Sequence, residues 1–301
     1  MMRLAGHTLG TPDHTVPQAL ALFKAAGLDA AEVIYQDDYL SGLPLGDRRA
    51  AMEALKAADS EGVPIVGLTP YTTAINSLDD VEWRGAVDEF RGAIETAHMV
   101  GADRVRVYAG SWHAGDSDHA RRWAKLVDAL QTLAPVAEQA GVRLCVENHF
   151  GTMTQSAAET AALVREVAHP AIRVLYDQAN LTFTHDEKFE QALAVQGDLI
   201  GHVHVKDLVF TDPNAAFRAT ETARVNASER AVRSRVVGSG VVPWPQILAG
   251  LVQHGYDDVL SIELEYRWHR QDLPKPEDGF RESAAVLRAM LSDPAHVRNA
   301  R

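Results

Sequence analysis

The sequence predicts an α/β protein in which eight parallel strands close into a single-domain (β/α)8 TIM barrel that spans residues 1–301. Strand-like and helix-like segments alternate along the whole chain, as they do where helical crossovers join parallel strands. Several helix-like segments are closed by a glycine, a common way for helices to end. No Gly-x-Gly-x-x-Gly motif follows the first strand, so a dinucleotide-binding fold has no support, and an open doubly wound sheet is the alternative.

The predicted strands are short runs that are apolar throughout or alternate between apolar and polar residues. They cover residues 4–7, 31–36, 63–68, 104–108, 142–147, 172–177, 200–206 and 259–265. The predicted helices have apolar residues at a helical period, and one of them opens at Ser156 with Glu159 three residues later, a capping-box pattern. They cover residues 16–26, 47–60, 79–100, 118–140, a segment that starts at 156, 187–196, 243–254 and 279–291.

One segment, residues 209–239, interrupts this alternation and is predicted to be an inserted loop after the seventh strand. It is long, polar and rich in arginine, at positions 218, 224, 230, 233 and 235. A loop of this length in a compact domain is usually functional, as a lid or a subunit contact, and a solvated insertion is the alternative. Together with Trp268, His269 and Arg270, the segment predicts a contact with a second subunit, in a homo-oligomer or with a different partner.

Composition limits the classes of partner and the compartment. The chain has 29 Lys and Arg against 41 Asp and Glu, a formal net charge of −12. Nucleic acid and anionic membrane surfaces require a basic footprint, so neither is expected as a partner. The one cysteine, Cys145, cannot form an intrachain disulfide, which indicates a reducing compartment. With no signal-peptide pattern and no apolar run long enough to span a bilayer, the protein is expected to be cytoplasmic.

Several predicted strands carry polar side chains on the face that a barrel normally fills with apolar ones. In residues 200–206, His202, His204 and Lys206 share one face, because alternate residues of a strand point to opposite sides. The fourth, fifth, sixth and eighth strands have the same pattern. Buried carboxylates are costly unless they are compensated, so a cation is expected inside the barrel.

The last inward polar residues of four consecutive strands are Glu147, Asp177, His204 and either Glu263 or Glu265. The first three are each about one strand–helix repeat apart, so we expect them at the same height, at the carboxyl ends of the strands where barrel active sites lie. Three carboxylates and one imidazole form an oxygen-rich site that favours Mn²⁺, Mg²⁺ or Co²⁺ over a structural zinc ion. Helix caps and salt bridges are the alternative explanation.

Five motifs of the chain resemble those of the sugar phosphate isomerase/epimerase family, the xylose-isomerase-like TIM barrel superfamily. They are residues 145–149 (CVENH), 176–180 (YDQAN), 202–207 (HVHVKD), 238–244 (GSGVVPW), and GY at 255–256 followed by SIE at 261–263. The resemblance covers essentially the whole chain and is specific for the superfamily, but it does not specify a substrate.

The resemblance implies that one divalent metal ion is bound by Glu147, Asp177, His204 and Glu263, with Mn²⁺ preferred and Mg²⁺, Co²⁺ or Zn²⁺ as alternatives. In the ketose 3-epimerase branch, Glu147 and Glu263 would also act as acid and base. The shared chemistry is proton abstraction next to a carbonyl group of a sugar or sugar derivative. An isomerase or epimerase with a small-molecule sugar substrate is therefore expected.

The chain departs from that branch at two positions, where Asn180 and Phe210 replace a histidine and an arginine, so a free ketose substrate is in doubt. His149, two residues past Glu147, is similar to a histidine of other branches and is a candidate for a separate general base. The alternative reaction is a lyase on the same scaffold. It would cleave a 3-keto-glycoside or C-glycoside, or dehydrate an inosose.

Residues at or just past the strand ends are candidates for contacts with the sugar substrate. They are Lys206, Asn180, Arg106, His7 and Trp112. For Lys206 and Arg106, an interior salt bridge with Asp207 or Glu265 is the alternative.

Two further classes remain open. A phosphodiester hydrolase of the apurinic endonuclease type shares the barrel, but it would need more metal ligands and a basic groove. A non-catalytic binding module would not require the intact ligand set.

Overall fold

The computed structural model of the chain describes residues 2–113, 115–185, 187–212 and 231–293. The strands are β1 (Arg3–His7), β2 (Ala30–Tyr35), β3 (Gly42–Leu43), β4 (Ile65–Pro70), β5 (Arg104–Val107), β6 (Arg143–Glu147), β7 (Ile172–Asp177), β8 (Ile200–Val205), β9 (Asp207–Phe210), β10 (Val232–Arg235) and β11 (Val259–Ile262). The helices are α1 (Val16–Ala25), α2 (Arg48–Glu61), α3 (Asp80–Val100), α4 (His119–Ala140), α5 (Ala157–Val167), α6 (Gln178–His185), α7 (Phe189–Gln196), α8 (Trp244–Gln253) and α9 (Pro276–Ser292).

Eight of these strands form a closed parallel ring in the order β1, β2, β4, β5, β6, β7, β8, β11. The ring closes because β1 pairs with β2 on one side and with β11 on the other. The two-residue strand β3 pairs with β2 as an addition to the ring. Helices surround the strands, and α1 contacts both α2 and α9. The predicted single-domain (β/α)8 barrel is confirmed, and the open sheet is excluded.

Local sequence signals set the ends of the helices. Helix α5 begins at the predicted capping box, in which the Ser156 hydroxyl accepts the N–H of Glu159 and the Glu159 carboxylate accepts the N–H of Ser156. Helices α3 and α4 end at Gly101 and Gly141, which adopt left-handed φ angles of 78° and 70° that glycine tolerates at little cost. Among the described residues, every helix is too short or too polar to span a lipid bilayer.

Helix α6, directly after β7, was not predicted. Its sequence, QANLTFTH, contains several weak helix formers, so propensity alone does not indicate a helix. The helix is started instead by Asp177, whose Oδ1 accepts the N–H of Asn180 at 3.0 Å, as an N-cap carboxylate would. A residue of the predicted metal site therefore also begins the helix that follows it.

Two strands differ from their predicted bounds by two residues or more, and the others by one residue at most. Strand β4 begins and ends two residues later than the predicted 63–68, and its last residue, Pro70, is paired with Tyr35 of β2. Strand β11 ends at Ile262, so Glu263 and Glu265 lie past the regular ladder. The N–H of Glu263 still donates to the carbonyl of Val205 at 3.0 Å, which keeps Glu263 at the barrel mouth.

The amino-terminal end of the barrel interior is filled by a network of ion pairs. Arg104, with a side chain 1 % exposed, donates to Asp103 at 2.7 Å and to Asp258 at 2.9 Å. Arg143 contacts the same two aspartates at 2.6 Å and 3.1 Å. Because a buried guanidinium is stable only when paired, the aspartates that precede β5 and β11 are required at this end.

The two ends of the segment after β8 form strands β9 and β10, which pair as an antiparallel ribbon. Phe210 lies opposite Val232, and Asp207 lies opposite Arg235. Residues 213–230, with the arginines at 218, 224 and 230, lie outside the described residues. The subunit contact expected of this segment stays a prediction.

Asp207 attaches the chain beyond the ribbon to the barrel. Its carboxylate accepts backbone N–H groups from Leu208, Gly238, Gly240 and Val242, at 2.9–3.1 Å. A Cβ atom at Gly240 would lie 2.1 Å from the Asp207 Oδ1 atom, so this close approach requires glycine. The buried carboxylate thus organises the turn that leads into α8.

We predict that Asp207→Ala lowers the free energy of unfolding by about 3 kcal/mol or more, because four backbone N–H groups lose an ionic acceptor, and the bonds from Leu208 and Val242 are buried. Urea unfolding followed by circular dichroism measures the change. Asp59→Ala, at an exposed position of α2, is the control and should stay within about 0.5 kcal/mol of the parent chain. Equal stability of the two variants would contradict the role given to Asp207.

Candidate metal centre

The side chains of Glu147, Asp177, His204 and Glu263 meet at the carboxyl-terminal mouth of the barrel. One potential ligand atom of each lies within 4.8 Å of the other three, and all four residues are buried. Asp177 lies directly opposite His204 between β7 and β8, whereas Glu147 and Glu263 are offset by two residues in register. Barrel strands tilt against the axis, so groups at one height differ in register. The structure thus brings together the four side chains that the sequence grouped.

Lys206 and Arg106 supply positive charge beside this cluster. Lys206 Nζ lies 3.0 Å from Asp177 Oδ2 and 3.0 Å from Glu263 Oε2. Arg106 Nη1 donates to Glu147 Oε2 at 3.3 Å. The alternative for these residues, an interior salt bridge with Asp207 or Glu265, holds for Lys206, whose Nζ also lies 3.5 Å from Glu265 Oε1. Arg106 pairs instead with Glu147, so the two cations together contact three of the four grouped side chains.

The carboxyl groups of the cluster respond differently to burial, which by itself raises their pKa values. Nearby imidazoles and Arg106 outweigh burial at Glu147 and lower its pKa to about 2. Lys206 and His204 likewise hold the pKa of Glu263 well below its usual range. At Asp177, burial and the two neighbouring carboxylates outweigh Lys206 and raise the pKa to about 6. Acids this close titrate as a group, so one proton is retained on the cluster in mildly acidic solution.

Two buried ligand atoms of the cluster make no hydrogen bond: Nδ1 of His204, and Oδ2 of Asp177, which has the ion-pair contact with Lys206. The His204 Nδ1 atom lies 3.4 Å from a Glu263 oxygen and 3.7 Å from a Glu147 oxygen. Burial opposes a charge on His204, but the surrounding carboxylates raise its pKa well above the ordinary value. Buried polar atoms that make no hydrogen bond are rare. A divalent cation bound by carboxylate oxygens and one imidazole nitrogen would give both the Asp177 and the His204 atom a partner. The residues present therefore fit such an ion.

Two asparagines hold two of the ligand residues in place, one through the backbone of Asp177 and the other through the carboxylate of Glu147. The Asn148 amide donates to the Asp177 carbonyl at 2.7 Å and accepts the Asp177 N–H at 3.2 Å. The Asn180 amide donates to Glu147 Oε1 at 3.1 Å and to the carbonyl of Asn148 at 3.1 Å. Asn180, expected to contact substrate, lines the neighbouring cavity but also holds Glu147 in place.

A cavity of about 440 Å³ opens next to the cluster. Its polar lining beside the cluster includes Lys206, Asn180 and Glu263. Its aromatic lining residues are Tyr71, Tyr108, Phe150, Phe183 and Trp268. Its size and its mixture of apolar surface with a few polar groups suit a small organic ligand.

His149 also lines this cavity. Its Nδ1 atom lies 2.6 Å from the carbonyl oxygen of Phe150, which can only accept, so Nδ1 carries the proton. Nε2 is then unprotonated in the neutral ring and lies 3.4 Å from the Tyr108 hydroxyl. Burial lowers the pKa of His149 by more than Glu147 raises it. His149 is therefore a neutral imidazole with a basic nitrogen at the cavity wall.

Three residues expected to contact substrate are not among the described residues that line the cavity. Arg106 is stacked between the rings of Tyr71 and Tyr108, with its guanidinium carbon 4.4 Å and 3.9 Å from their centroids. His7 is fully buried, and its ring lies 5.5 Å from that of His204. Trp112 packs edge-on against His119 at 4.9 Å, beside α4.

Glu32 on β2 is a site residue that sequence reasoning missed. Its Oε2 atom lies 3.0 Å from His202 Nε2 and 3.1 Å from His204 Nε2. Burial raises its pKa, but the two imidazoles outweigh burial and hold the pKa well below the usual range. A signal was available, because a charged residue inside the apolar run AAEVIY must find a buried partner.

Comparisons with known proteins bear on the fold and the family of the chain. The model of the xylose isomerase-like TIM barrel family matches residues 20–290. Inosose dehydratase of Geobacillus thermodenitrificans is 27% identical over 143 residues, which are 48% of this chain and 47% of that protein. Inosose dehydratase of Salmonella typhimurium is 28% identical over 159 residues, 53% of this chain and 50% of that protein. The chain thus spans about half the length of the curated relatives it matches.

Solved structures match over nearly the full length. The IOLI protein with a bound zinc atom has a TM-score of 0.77 at 18% identity, covering 97% of this chain and 98% of the other. L-ribulose 3-epimerase has a TM-score of 0.76 at 18% identity, covering 100% and 97%. At such identities the likeness shows the fold alone.

The named relatives include enzymes, in agreement with the expectation that this chain is one. The family match extends over most of the sequence, and the closed barrel carries each of the motifs on which the resemblance was based. The chain belongs to the xylose isomerase-like TIM barrel family.

Proposed function

We propose that this chain is a divalent-metal-dependent enzyme that removes a proton next to the carbonyl group of a sugar or sugar derivative, as an isomerase or epimerase does. The observation that carries the proposal is the convergence of Glu147, Asp177, His204 and Glu263 beside a cavity large enough for such a substrate. The names of the relatives, inosose dehydratase and L-ribulose 3-epimerase, support a sugar-like carbonyl compound.

The four converging side chains would hold one divalent ion, for which an oxygen-rich donor set favours Mn²⁺, with Mg²⁺, Co²⁺ or Zn²⁺ as alternatives. Such an ion supplies Lewis acidity that polarises the substrate carbonyl and makes the adjacent C–H bond more acidic. Lys206 lines the cavity and lies 3.0 Å from two of the ligand carboxylates, so its ammonium group can donate to a substrate oxygen.

Glu147 and Glu263 are the proposed acid and base. Both carboxyl groups have pKa values below their usual range, so both are ionised at neutral pH and can accept a proton. Arg106 and Asn180 hold Glu147 by hydrogen bonds to its two oxygens, which fixes its direction. If one ionised glutamate takes the proton from one face and the other, once it has been protonated from solvent, delivers a proton to the opposite face, the result is epimerisation.

Elimination is a second candidate, and the geometry of His149 favours it. Its Nε2 atom is unprotonated in the neutral ring, and the residue lines the cavity two positions past Glu147. If His149 accepts the proton and a substituent on the next carbon leaves with its bonding electrons, a double bond forms and the reaction is a lyase reaction. The matches to inosose dehydratases also support this candidate.

We predict that Asp177→Asn weakens Mn²⁺ binding by roughly 100-fold or more, because it removes a direct ligand, and even an outer-shell partner is worth about 10–100-fold. Titration of the metal-free protein with Mn²⁺, followed by electron paramagnetic resonance of the free ion, measures this. The matched control is Asp128→Asn, at an exposed position on α4. Equal affinities in the two variants would rule out this ligand set.

The acid–base assignment predicts that Glu147→Gln and Glu263→Gln each slow deuterium wash-in from D₂O by about 10²–10⁴-fold. The assay measures exchange next to the carbonyl across a panel of keto sugars, inososes and 3-keto-glycosides, at saturating Mn²⁺ and with metal content verified. Glu53→Gln, exposed on α2, is the control that should exchange normally. Undiminished wash-in in both glutamate variants would contradict the assignment.

For elimination, His149 must be unprotonated to act as the base. Its pKa lies below the ordinary value, so we predict that kcat/KM is constant at neutral pH and declines only as the pH falls through that lowered pKa. His149→Asn should remove this decline together with most of the elimination activity. A pH–rate profile of both proteins checks this, and an unchanged profile in the variant would exclude His149 as the base.

A further inference from the structure

Directly beneath the ligand cluster, four buried side chains are linked in series by hydrogen bonds, from Arg104 through His202 and Glu32 to His204. Arg104 Nη1 lies 3.1 Å from His202 Nδ1. The other ring nitrogen of His202 lies 3.0 Å from Glu32 Oε2, and His204 Nε2 lies 3.1 Å from the same oxygen. The series therefore connects the ion-pair network at one end of the barrel to the candidate metal centre at the other.

Chemistry fixes the direction of each hydrogen bond. A guanidinium group has donors only, so His202 accepts at Nδ1 and carries its proton on Nε2. An ionised carboxylate has acceptors only, so Glu32 receives an N–H from both His202 and His204. The Nε2 atom of His204 is thereby committed as a donor. Its Nδ1 atom, which faces Glu147 and Glu263, remains as the nitrogen that can bind an ion.

The same directions argue against a second ion in this layer. His7, Glu32 and His204 also offer ligand atoms within 4.8 Å of one another. However, His7 Nδ1 accepts the N–H of Leu9 at 3.0 Å, so the ring proton of His7 is on Nε2. His204 Nε2 also carries a proton, which it donates to Glu32. An ion placed among these three residues would face two N–H groups in place of two lone pairs.

We propose that Glu32 is a positioning residue that fixes the tautomer of His204, so that Nδ1 is the atom offered to the metal ion. Arg104, acting through His202, keeps the acceptor oxygen of Glu32 in place. The negative charge of Glu32 also increases the basicity of the His204 ring, as carboxylates hydrogen-bonded to metal-binding histidines do. This inference rests on the proposed function, because it assigns Glu32 a role toward the proposed ion.

The first test is a Co²⁺ titration of metal-free wild-type protein and of Glu32→Gln, followed by the visible absorption of the bound ion. The glutamine keeps the size of the side chain but is neutral and carries an NH₂ group in place of one oxygen. We expect Co²⁺ affinity to fall by about 10–100-fold. Ser261→Ala is the matched control, because Ser261 is buried directly opposite His204 in the ladder and outside the series. Its Co²⁺ affinity should equal that of the wild type.

The second test reads the tautomer, and its first measurement uses the wild-type protein alone. Nitrogen-15 NMR of the imidazole rings in Zn²⁺-loaded wild-type protein should show Nδ1 of His204 bound to zinc and a slowly exchanging proton on Nε2. In Glu32→Gln that proton should exchange faster or shift.

Zinc bound through Nε2 of His204, or equal Co²⁺ affinity in Glu32→Gln and wild type, would overturn the role of Glu32 while leaving the proposed function intact. Wild-type protein that binds neither Co²⁺ nor Zn²⁺ would overturn both, so the two failures are distinguishable.

Discussion

Compensation of buried negative charge is the constraint on which the rest of this barrel depends. Glu32, Glu147, Asp177 and Glu263 all lie in the interior with no more than 4 % of their surface exposed. An isolated buried carboxylate costs several kcal/mol, so each of them must be paired or must bind a cation. The partners lie on or directly after other strands of the ring, and Glu32 on β2 finds its partners, His202 and His204, on the distant strand β8.

The interior is divided into levels that serve different purposes. At the amino-terminal end, Arg104 and Arg143 are paired with Asp103 and Asp258, which stabilises the fold without contributing ligand atoms. At the carboxyl-terminal end, the ligand cluster and the cavity lie together, where the loops after the strands can shape a substrate site. Glu32 lies between these two levels. It is hydrogen-bonded to His204 of the ligand cluster and, through His202, is linked to Arg104 of the ion-pair network.

Much of the fold could be predicted from the sequence, because each element carries a local signal. The apolar runs gave the eight barrel strands, and capping residues such as Ser156 and glycines such as Gly101 gave the helix ends. Helix α6 has no such signal in its own residues, since it depends on the Asp177 carboxylate of the preceding strand. The end of β11 depends on which of its backbone groups are hydrogen-bonded to a neighbouring strand. The local sequence pattern does not contain that information.

Part of the candidate site could also be predicted from the sequence, and part could not. Strand parity and repeat length grouped Glu147, Asp177 and His204 with either Glu263 or Glu265, because both quantities can be read along the chain, and the family resemblance selected Glu263. The pairing of Glu32 with His204 joins residues 172 positions apart, and it could not be read in that way. The same holds for Asn180, which orients Glu147 as well as lining the cavity.

Anomalous X-ray diffraction would locate a divalent ion bound by the four side chains at the barrel mouth. The crystals are soaked in Mn²⁺ and measured on both sides of the manganese absorption edge. We expect a single anomalous peak per chain, in contact with Glu147, Asp177, Glu263 and the Nδ1 atom of His204. A peak located instead among His7, Glu32 and His204, or no peak at the barrel mouth, would contradict this expectation.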